Sequence, residues 1–264
     1  MINKLDLVIY DTGGNMVEEL TVTEYSKMDC KNAMVLVGFP SLGLVSSIAT
    51  NFIVRTLGLK RLAGISSPDF PPYAMVQEGF PMPPVRIYGG DRQCDENGEN
   101  CEHLIVITAE FLPKMEMHYP MTKLILEWCE ENEVETIVTM EGIGSAEADP
   151  DTVWGVGSNP RMKEMMEKYD VKPMDEGMVR GLSGIMLYEG AARGMNVLTL
   201  MGPARMDMPD ARGAAKLMEK ITLMLPELDL DTEPLLKEAE ELEKRMKGAM
   251  ETASIASDNS HLYR

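Results

Sequence analysis

The histidines and serines of this 264-residue chain show no pattern of a nucleophile beside a base. His103 precedes a predicted strand, His118 begins a predicted helix, and His261 lies near the end of the chain. The glycine–x–serine–x–glycine turn that exposes a serine nucleophile is absent from the sequence. Ser145 follows a strand end, where active sites of α/β proteins cluster, but a glycine turn with a capping serine explains it better.

Two acidic residues follow predicted buried strands and form the candidate site of an alternative function. Glu110 and Glu141 each follow such a strand, and Gly38 ends a third strand. Paired carboxylates at strand ends can bind a metal ion or the ribose of a nucleotide. The alternative is therefore a small-molecule-binding or phosphorylase-like enzyme that uses a crevice near Gly38, Glu110 and Glu141.

The turn after the first buried strand has part of the pattern of a phosphate-binding loop. Gly38 and Gly43 have the glycine spacing, but Leu44 stands where that loop needs its lysine. Backbone N–H groups at a helix N-terminus can still hold an anion. A tight strand-to-helix turn explains the pattern better, because no charged partner accompanies it. We therefore expect no nucleotide cofactor.

Cys94, Cys101 and His103 are the residues that most resemble a metal site. Structural zinc sites usually combine cysteine pairs that roughly two to four residues separate with about four ligands in all. Here six residues separate the cysteines, and no fourth ligand stands out in the sequence. The segment Asp91–Glu102 is therefore interpreted as an acidic surface loop, and we expect no bound metal.

The elements that must position these residues alternate between two patterns. Short, continuous apolar runs bounded by turns are typical of strands buried on both faces, and amphipathic stretches between them are typical of helices. The alternation predicts the α/β class, with a mostly parallel sheet and helices on both faces. The strand runs are Ala33–Val37, Leu104–Ile107, Glu135–Met140 and Asn196–Met201, and the helical stretches are Leu44–Leu57, Tyr119–Glu131, Leu182–Arg193 and Asp210–Leu225.

Other segments are less regular. Leu5–Tyr10 and Arg61–Ser66 have strand patterns, and residues 146–181 are irregular apart from one short helix at Arg161–Lys168. Prolines frame two further strand patterns, Tyr73–Gln77 and Val85–Tyr88, which we expect to pair as an antiparallel hairpin.

Charge and composition exclude several classes of protein. Lys and Arg number 25 and Asp and Glu number 43, which gives a formal net charge of −18. Such an acidic surface repels nucleic acids and anionic membranes. The sequence has no apolar run long enough to span a bilayer and no secretory signal pattern, and its four scattered cysteines suit a reducing compartment. We therefore expect a cytoplasmic protein in which Cys30 and Cys129 are packing residues.

After Pro226 the chain changes character. Thr232–Pro234 is a helix-start signal, because it combines a capping hydroxyl with an acid and a proline in the first turn. The apolar residues that follow have the spacing of a coiled-coil seam, which is too short to be stable alone. We expect it to dock within its own chain or between subunits. The seam residues are Leu235, Ala239, Leu242, Met246 and Ala249.

A series of motifs between about residues 33 and 225 resembles the proteasome assembly chaperone family, in the branch of the second assembly chaperone. In order, they are Gly38–Val45, Ser66–Pro72, Pro83–Tyr88, Gly181–Gly184 and Pro209–Ala215. Ser41 departs from the family, which most often has glycine there, but serine is small enough for the turn. The turn residues that carry the resemblance are Gly38, Phe39, Pro40, Gly43, Pro68, Asp69, Phe70, Pro71 and Pro72.

The resemblance implies a fold like that of nucleoside phosphorylases without their catalytic residues, hence no enzyme and no cofactor. It also implies a homo-oligomer. Archaeal members are similar to factors that bind the proteasome core particle, as assembly chaperones or as ATP-independent activators. The expected partners are therefore the α-subunit ring of that particle and further copies of this chain. The expected units are an α/β domain (1–231), an acidic amphipathic helix (232–251) and a flexible tail (252–264).

Leu262, Tyr263 and Arg264 fit the hydrophobic–tyrosine–any motif that such activators dock between proteasome α-subunits. A terminal carboxylate can pair with a pocket lysine, and the tyrosine ring buries apolar area while its hydroxyl keeps a hydrogen bond. Residues 252–261, if flexible, span about 16–19 Å. Several such tails on one oligomer would bind with avidity.

Overall fold

The computed structural model describes residues 4–10, 16–77, 79–94, 101–144, 151–206, 208–228 and 230–237. Its centre is a group of four parallel strands, whose apolar side chains are buried on both faces. The four are β3 (Met34–Gly38), β8 (Cys101–Ala109), β9 (Thr136–Gly144) and β12 (Asn196–Ala204). Their order across the sheet is β8, β3, β9 and β12.

Antiparallel strands extend this centre on both sides into one ten-stranded sheet. Beside β8 lie β7 (Val85–Cys94), β4 (Lys60–Ser66), β2 (Met16–Glu24) and the edge strand β1 (Lys4–Tyr10). Beside β12 lie β10 (Trp154–Gly157) and then β11 (Lys172–Pro173), which runs parallel to β10. The expected α/β class is confirmed, and the parallel part of the sheet is its core.

The predicted pairing of Tyr73–Gln77 with Val85–Tyr88 is wrong. Instead, β5 (Met75–Gln77) pairs with β6 (Phe80–Met82) to form a separate two-stranded sheet. The strand that begins at Val85 joins the main sheet between β4 and β8. The linking segment supplies its own strand because Phe80–Met82 turns back directly after Gly79, whose φ is +81°.

The predicted bounds of the loop Asp91–Glu102 are also wrong, because strands extend into it from both sides. β7 continues to Cys94 and β8 begins at Cys101, so only the tip between them lies outside the described residues. Ion pairs support this extension although its composition is polar: Arg92 reaches Glu102 at 3.3 Å and Glu227 at 2.7 Å. Cross-strand pairing thus outweighs the weak strand propensity of these residues.

Helices cover both faces of the sheet. On one face α1 (Val45–Thr56) packs beside α5 (Ala211–Met224), and α3 (Pro160–Lys168) contributes to the same core. On the other face α2 (Met115–Glu131) packs beside α4 (Gly181–Ala192). Short 3-10 turns lie at Leu42–Leu44 and Pro226–Leu228. No helix among the described residues is long and apolar enough to cross a membrane.

Only the first residues of the C-terminal segment belong to the described part of the chain. Residues 233–237 are helical, and Leu235 is buried in the core that α1 and α5 share. The seam therefore docks on its own chain at this first position. The other seam residues and the tail lie outside the described residues, so the helix over 232–251, the tail over 252–264 and these domain limits stay predictions.

Candidate functional site

The first family-like motif forms a tight connection between β3 and α1. A Cβ atom at Gly38 would lie 2.5 Å from Cγ2 of Thr50 and 2.8 Å from the carbonyl oxygen of Ser46, so only glycine lets the helix approach this closely. Gly43 has a φ of +62°, which glycine adopts without steric cost. Phe39 is buried under α2 and α4, and Pro40 is half-buried.

Ser41, the departure from the family pattern, has a structural role in this turn. Its hydroxyl lies 2.8 Å from the hydroxyl of Ser46, which in turn donates to the carbonyl oxygen of Phe39. These bonds tie the turn to the first residues of α1. The expectation that serine preserves the turn is consistent with this geometry.

The last of the family-like motifs, Pro209–Ala215, contacts the same turn. The backbone N–H of Asp210 donates to the carbonyl oxygen of Gly43 at 2.7 Å. Its carboxylate caps α5 by accepting from the backbone N–H of Gly213 at 3.0 Å, and it also accepts from that of Arg205 at 3.0 Å. These hydrogen bonds therefore hold the two motifs together at the carboxyl ends of the parallel strands.

The proline-rich motif lies at the same end of the sheet, where its aromatic residue anchors it. Phe70 is buried and packs edge-to-face on Phe111, with ring centroids 4.9 Å apart. Pro71 is half-buried. Exposed residues of the motif are Ser66, Pro68, Asp69 and Pro72. The adjoining β5–β6 sheet exposes large apolar side chains: Val76 is 72% exposed and Phe80 is 67% exposed.

Glu110 is held by a buried arginine that the sequence analysis missed. Arg86, on the neighbouring strand β7, forms an ion pair with Glu110 while only 3% of the arginine is exposed. The Nε atom of Arg86 has no hydrogen-bond partner. Because this cation neutralises Glu110, the carboxylate is a poor candidate for a general base. Only the strand register, which sets Arg86 beside Thr108, reveals this pair.

Glu141 lies on the other face of the sheet. Its carboxylate accepts a 2.6 Å hydrogen bond from the hydroxyl of Ser183 near the start of α4. Burial raises the pKa of Glu141 from 4.5 to about 7, and the Ser183 hydrogen bond opposes this effect. The expectation that Glu110 and Glu141 share a crevice is therefore wrong, because Glu110 belongs to the α1 side and Glu141 to the α4 side.

A groove of about 460 Å³ does lie beside Glu110. Ser47 and Asn51 of α1 line it together with Leu235, and the rest of its lining is mainly apolar. The Ser47 hydroxyl is buried and has no hydrogen-bond partner. Gly38, the third residue of the alternative site, packs against α1 instead of lining this groove.

The remaining candidate residues that the structure describes are buried or make hydrogen bonds within the fold. His118 Nε2 lies 2.9 Å from the carbonyl oxygen of Pro113. Cys30 and Cys129 are buried, as predicted, and burial raises the pKa of the Cys30 thiol to about 11 and that of Cys129 still further. No group of three His, Cys, Asp or Glu side chains within the described ranges could hold a metal ion. Ser145, Leu262, Tyr263 and Arg264 lie outside those ranges.

Comparisons with known proteins cover most of the chain. The sequence model of the PAC2 family matches residues 35–250. PbaA from Pyrococcus furiosus, an archaeal homologue of proteasome-assembly chaperone, is 29% identical over 89% of this chain and 94% of its own, with a TM-score of 0.75. PbaB from the same organism, an archaeal proteasome activator, shares the fold at 22% identity, with 88% of this chain and 98% of its own covered and a TM-score of 0.74. An uncharacterised protein of Methanocaldococcus jannaschii is 27% identical over 88% of this chain and 91% of its own.

Proposed function

The chain belongs to the PAC2 family, and from this we propose that it is a non-catalytic, oligomeric partner of the proteasome core particle. It binds the α-subunit ring through Leu262, Tyr263 and Arg264, in proteasome assembly or in ATP-independent opening of the gate. The observation that carries the proposal is the similarity to PbaA along nearly the whole of both chains.

The tail mechanism follows from the chemistry of its last residues. The terminal carboxylate would pair with a pocket lysine, and the ring of Tyr263 would fill the pocket while its hydroxyl keeps one hydrogen bond. Leu262 adds about 1.5–3 kcal/mol if it is fully buried. The proteasome pocket does not recognise the side chain of Arg264. Ordering one tail costs entropy, so a single tail binds weakly.

Several tails on one body overcome this weakness, which makes the oligomer part of the mechanism. The burial of Leu235 in its own core supports a fixed starting point for each tail. The exposed side chains of Val76 and Phe80 support the proline-rich face as a surface for self-association, since burying them removes apolar area from water. Preferential binding to the open ring is then sufficient to open a gate.

The polar residues at the carboxyl edge support a non-catalytic role. Arg86 neutralises Glu110, and the sheet separates this pair from Glu141. Asp210 uses its carboxylate to cap α5. Each of these groups thus has a structural partner.

A binding assay with the core particle of the same organism tests the proposal. Full-length protein should bind the particle or stimulate its peptide cleavage, and deletion of residues 262–264 should abolish this. Arg264→Ala is the matched control and should bind like the parent chain, because only the terminal carboxylate is used. Intact mass of the native protein verifies that Arg264 carries this carboxylate.

Different outcomes separate the parts of the proposal. Unchanged binding after the deletion rejects the tail mechanism but leaves the partner. Absence of binding by the full-length oligomer rejects the partner itself. A strictly monomeric native protein rejects the avidity argument.

The groove beside Glu110 favours a second candidate function, the binding of a small molecule. Its volume of about 460 Å³ and the unpartnered Ser47 hydroxyl are the features that support it. A phosphate or nucleoside that raises the melting temperature of the parent chain, but not that of Ser47→Ala, would support this function. A screen without any such shift would count against it.

A further inference from the structure

The helix α4 has no polar face. Glu189 is the only charged residue among its twelve. Tyr188 and Ala191 are exposed, and Gly184 and Ile185 are half-buried. These residues share the outward face of the helix, because the other three lie three or four positions from Tyr188. A helix that is apolar on every side is normally buried on every side, and the described part of one copy leaves this face of α4 uncovered.

Large apolar side chains beside α4 extend this face. Met115 and Tyr119 are exposed on the first turns of α2, and Met178 is exposed shortly before α4 begins. The two helices pack together, and the Tyr119 hydroxyl donates to the carboxylate of Glu189 at 3.2 Å. The α2–α4 surface consists of Met115, Tyr119, Met178, Ile185 and Tyr188. Apolar surfaces of this kind mark interaction sites in soluble proteins.

The charge of the molecule indicates what covers this surface. Each chain has a formal net charge of −18, which opposes association wherever the carboxylates of two copies meet. The α4 face avoids this repulsion, because its one carboxylate already accepts from Tyr119. By contrast, α2, α3 and α5 each carry four or five charged residues. A neutral apolar surface is complementary to itself, so the partner that it fits is a second copy of this chain.

We propose that the α2–α4 surface is a contact between two copies of this chain, in which their α4 helices face each other across a two-fold axis. The same residues of both copies then meet in one self-complementary contact. Gly184 and Ala191 leave room for the helix axes to approach to about 8–10 Å, and Tyr188 supplies a large apolar ring to bury.

This contact rests on the oligomer of the proposed function and explains how it can exceed two copies. The β5–β6 sheet, which exposes Val76 and Phe80, packs on the α1 side through Met75 and Met82. The α2–α4 surface lies on the other side of the main sheet. Two contacts on opposite faces can join more than two copies, which a single two-fold contact cannot do. Several tails on one particle require this arrangement.

The mass of the native particle tests the contact, measured by sedimentation equilibrium on full-length protein without the proteasome. Tyr188→Glu and Ala191→Glu place a carboxylate on the axis of an already acidic pair, so each should halve the particle mass. Leu223→Glu is the matched control, because Leu223 on α5 is 53% exposed and Tyr188 is 55% exposed. It should keep the parent mass. Far-UV circular dichroism should be unchanged in all three variants, since the substituted side chains are exposed in one copy.

Peroxide oxidation of the methionines tests the same contact without a substitution on the residues that are measured. Met115 and Met206 are each 81% exposed in one copy, but only Met115 belongs to the α2–α4 surface. Met115 and Met178 should form sulfoxide several-fold more slowly in the parent particle than in Tyr188→Glu. Met206 should react at the same rate in both, as mass spectrometry of peptides can measure.

Each contrary result overturns a defined part of the proposal. A parent mass that persists in both Tyr188→Glu and Ala191→Glu overturns the contact and leaves the oligomer and the tail mechanism intact. If these variants keep their mass but lose binding to the core particle, the surface belongs to the proteasome instead. Collapse of a particle larger than a dimer directly to monomers overturns the two-fold geometry in favour of a head-to-tail contact. A monomeric parent chain overturns the contact together with the avidity argument.

Discussion

Asp210 and Gly43 are joined by a 2.7 Å hydrogen bond from the backbone N–H of the first to the carbonyl oxygen of the second. The contact joins the N-cap of α5 to the turn after β3. The Asp210 carboxylate also accepts from the backbone N–H groups of Arg205, after β12, and of Gly213, in α5, so this one residue connects three segments. The two family-like motifs that contain these residues thus have a physical reason to occur together.

Asp210→Ala should lower the free energy of unfolding by about 2 kcal/mol, because it removes a buried helix cap and leaves two N–H groups without an acceptor. Asp231→Ala is the matched control, since Asp231 accepts one backbone N–H at an exposed position. Its effect should be clearly smaller. Denaturant unfolding of both variants measures the difference. Equal losses of stability would contradict the stabilising role of the Asp210 hydrogen bonds.

Gly213→Ala should destabilise the fold by about 2–3 kcal/mol or more. The new Cβ atom would lie 2.0 Å from the carbonyl oxygen of Pro203, and this backbone cannot move without disturbing β12. In the control Gly90→Ala, the Cβ atom meets a methyl of Leu59, the end of a flexible side chain, at 2.7 Å. Thermal unfolding should show a much smaller loss for the control.

Glu110→Gln should destabilise the protein by about 1–3 kcal/mol, because the buried Arg86 cation loses its counter-charge. Replacing both partners, as Arg86→Met with Glu110→Gln, should recover most of this loss. The exposed pair of Arg161 and Glu135 supplies the control, and Glu135→Gln should have little effect. A double-mutant cycle without coupling between Arg86 and Glu110 would contradict the argument.

Glu141 should make stability fall as the pH rises from about 4.5 to about 7. In that range the folded protein keeps a proton that the unfolded chain has lost, so raising the pH favours unfolding. Above this range the effect is constant. Glu141→Gln should remove the dependence and be more stable at pH 8 by up to about 3 kcal/mol.

Ser183→Ala provides the matched test of this titration. The Ser183 hydroxyl stabilises the carboxylate, so its removal should raise the pKa of Glu141 further and extend the fall in stability to higher pH. Denaturant unfolding at a series of pH values measures both variants. A slope that persists in Glu141→Gln would assign the titration to another group.

The sequence predicts the four central strands because burial on both faces requires continuous apolar runs. It does not predict β2, Met16–Glu24, whose acids interrupt the apolar pattern. That strand is stabilised by its pairing with β1 and β4. A local sequence pattern does not indicate such pairing. The outward ends of β7 and β8 were missed for the same reason.

The site was harder to predict than the fold. A continuous apolar run does not alternate between apolar and polar residues. The sequence therefore does not show on which face of the sheet the side chain of a residue after the run lies. This is why Glu110 and Glu141 were expected together although they lie on opposite faces. The partners Arg86 and Ser183 come from other elements, and only the register and the helix packing reveal them.

The position of β3 affects how the chain is made. This strand leaves the ribosome early, yet it lies between β8 and β9, which are synthesised much later. Until those neighbours emerge, the nascent chain presents an apolar segment with unpaired edges, a state prone to aggregation. The centre of the sheet can therefore close around β3 only after both neighbouring strands have been synthesised.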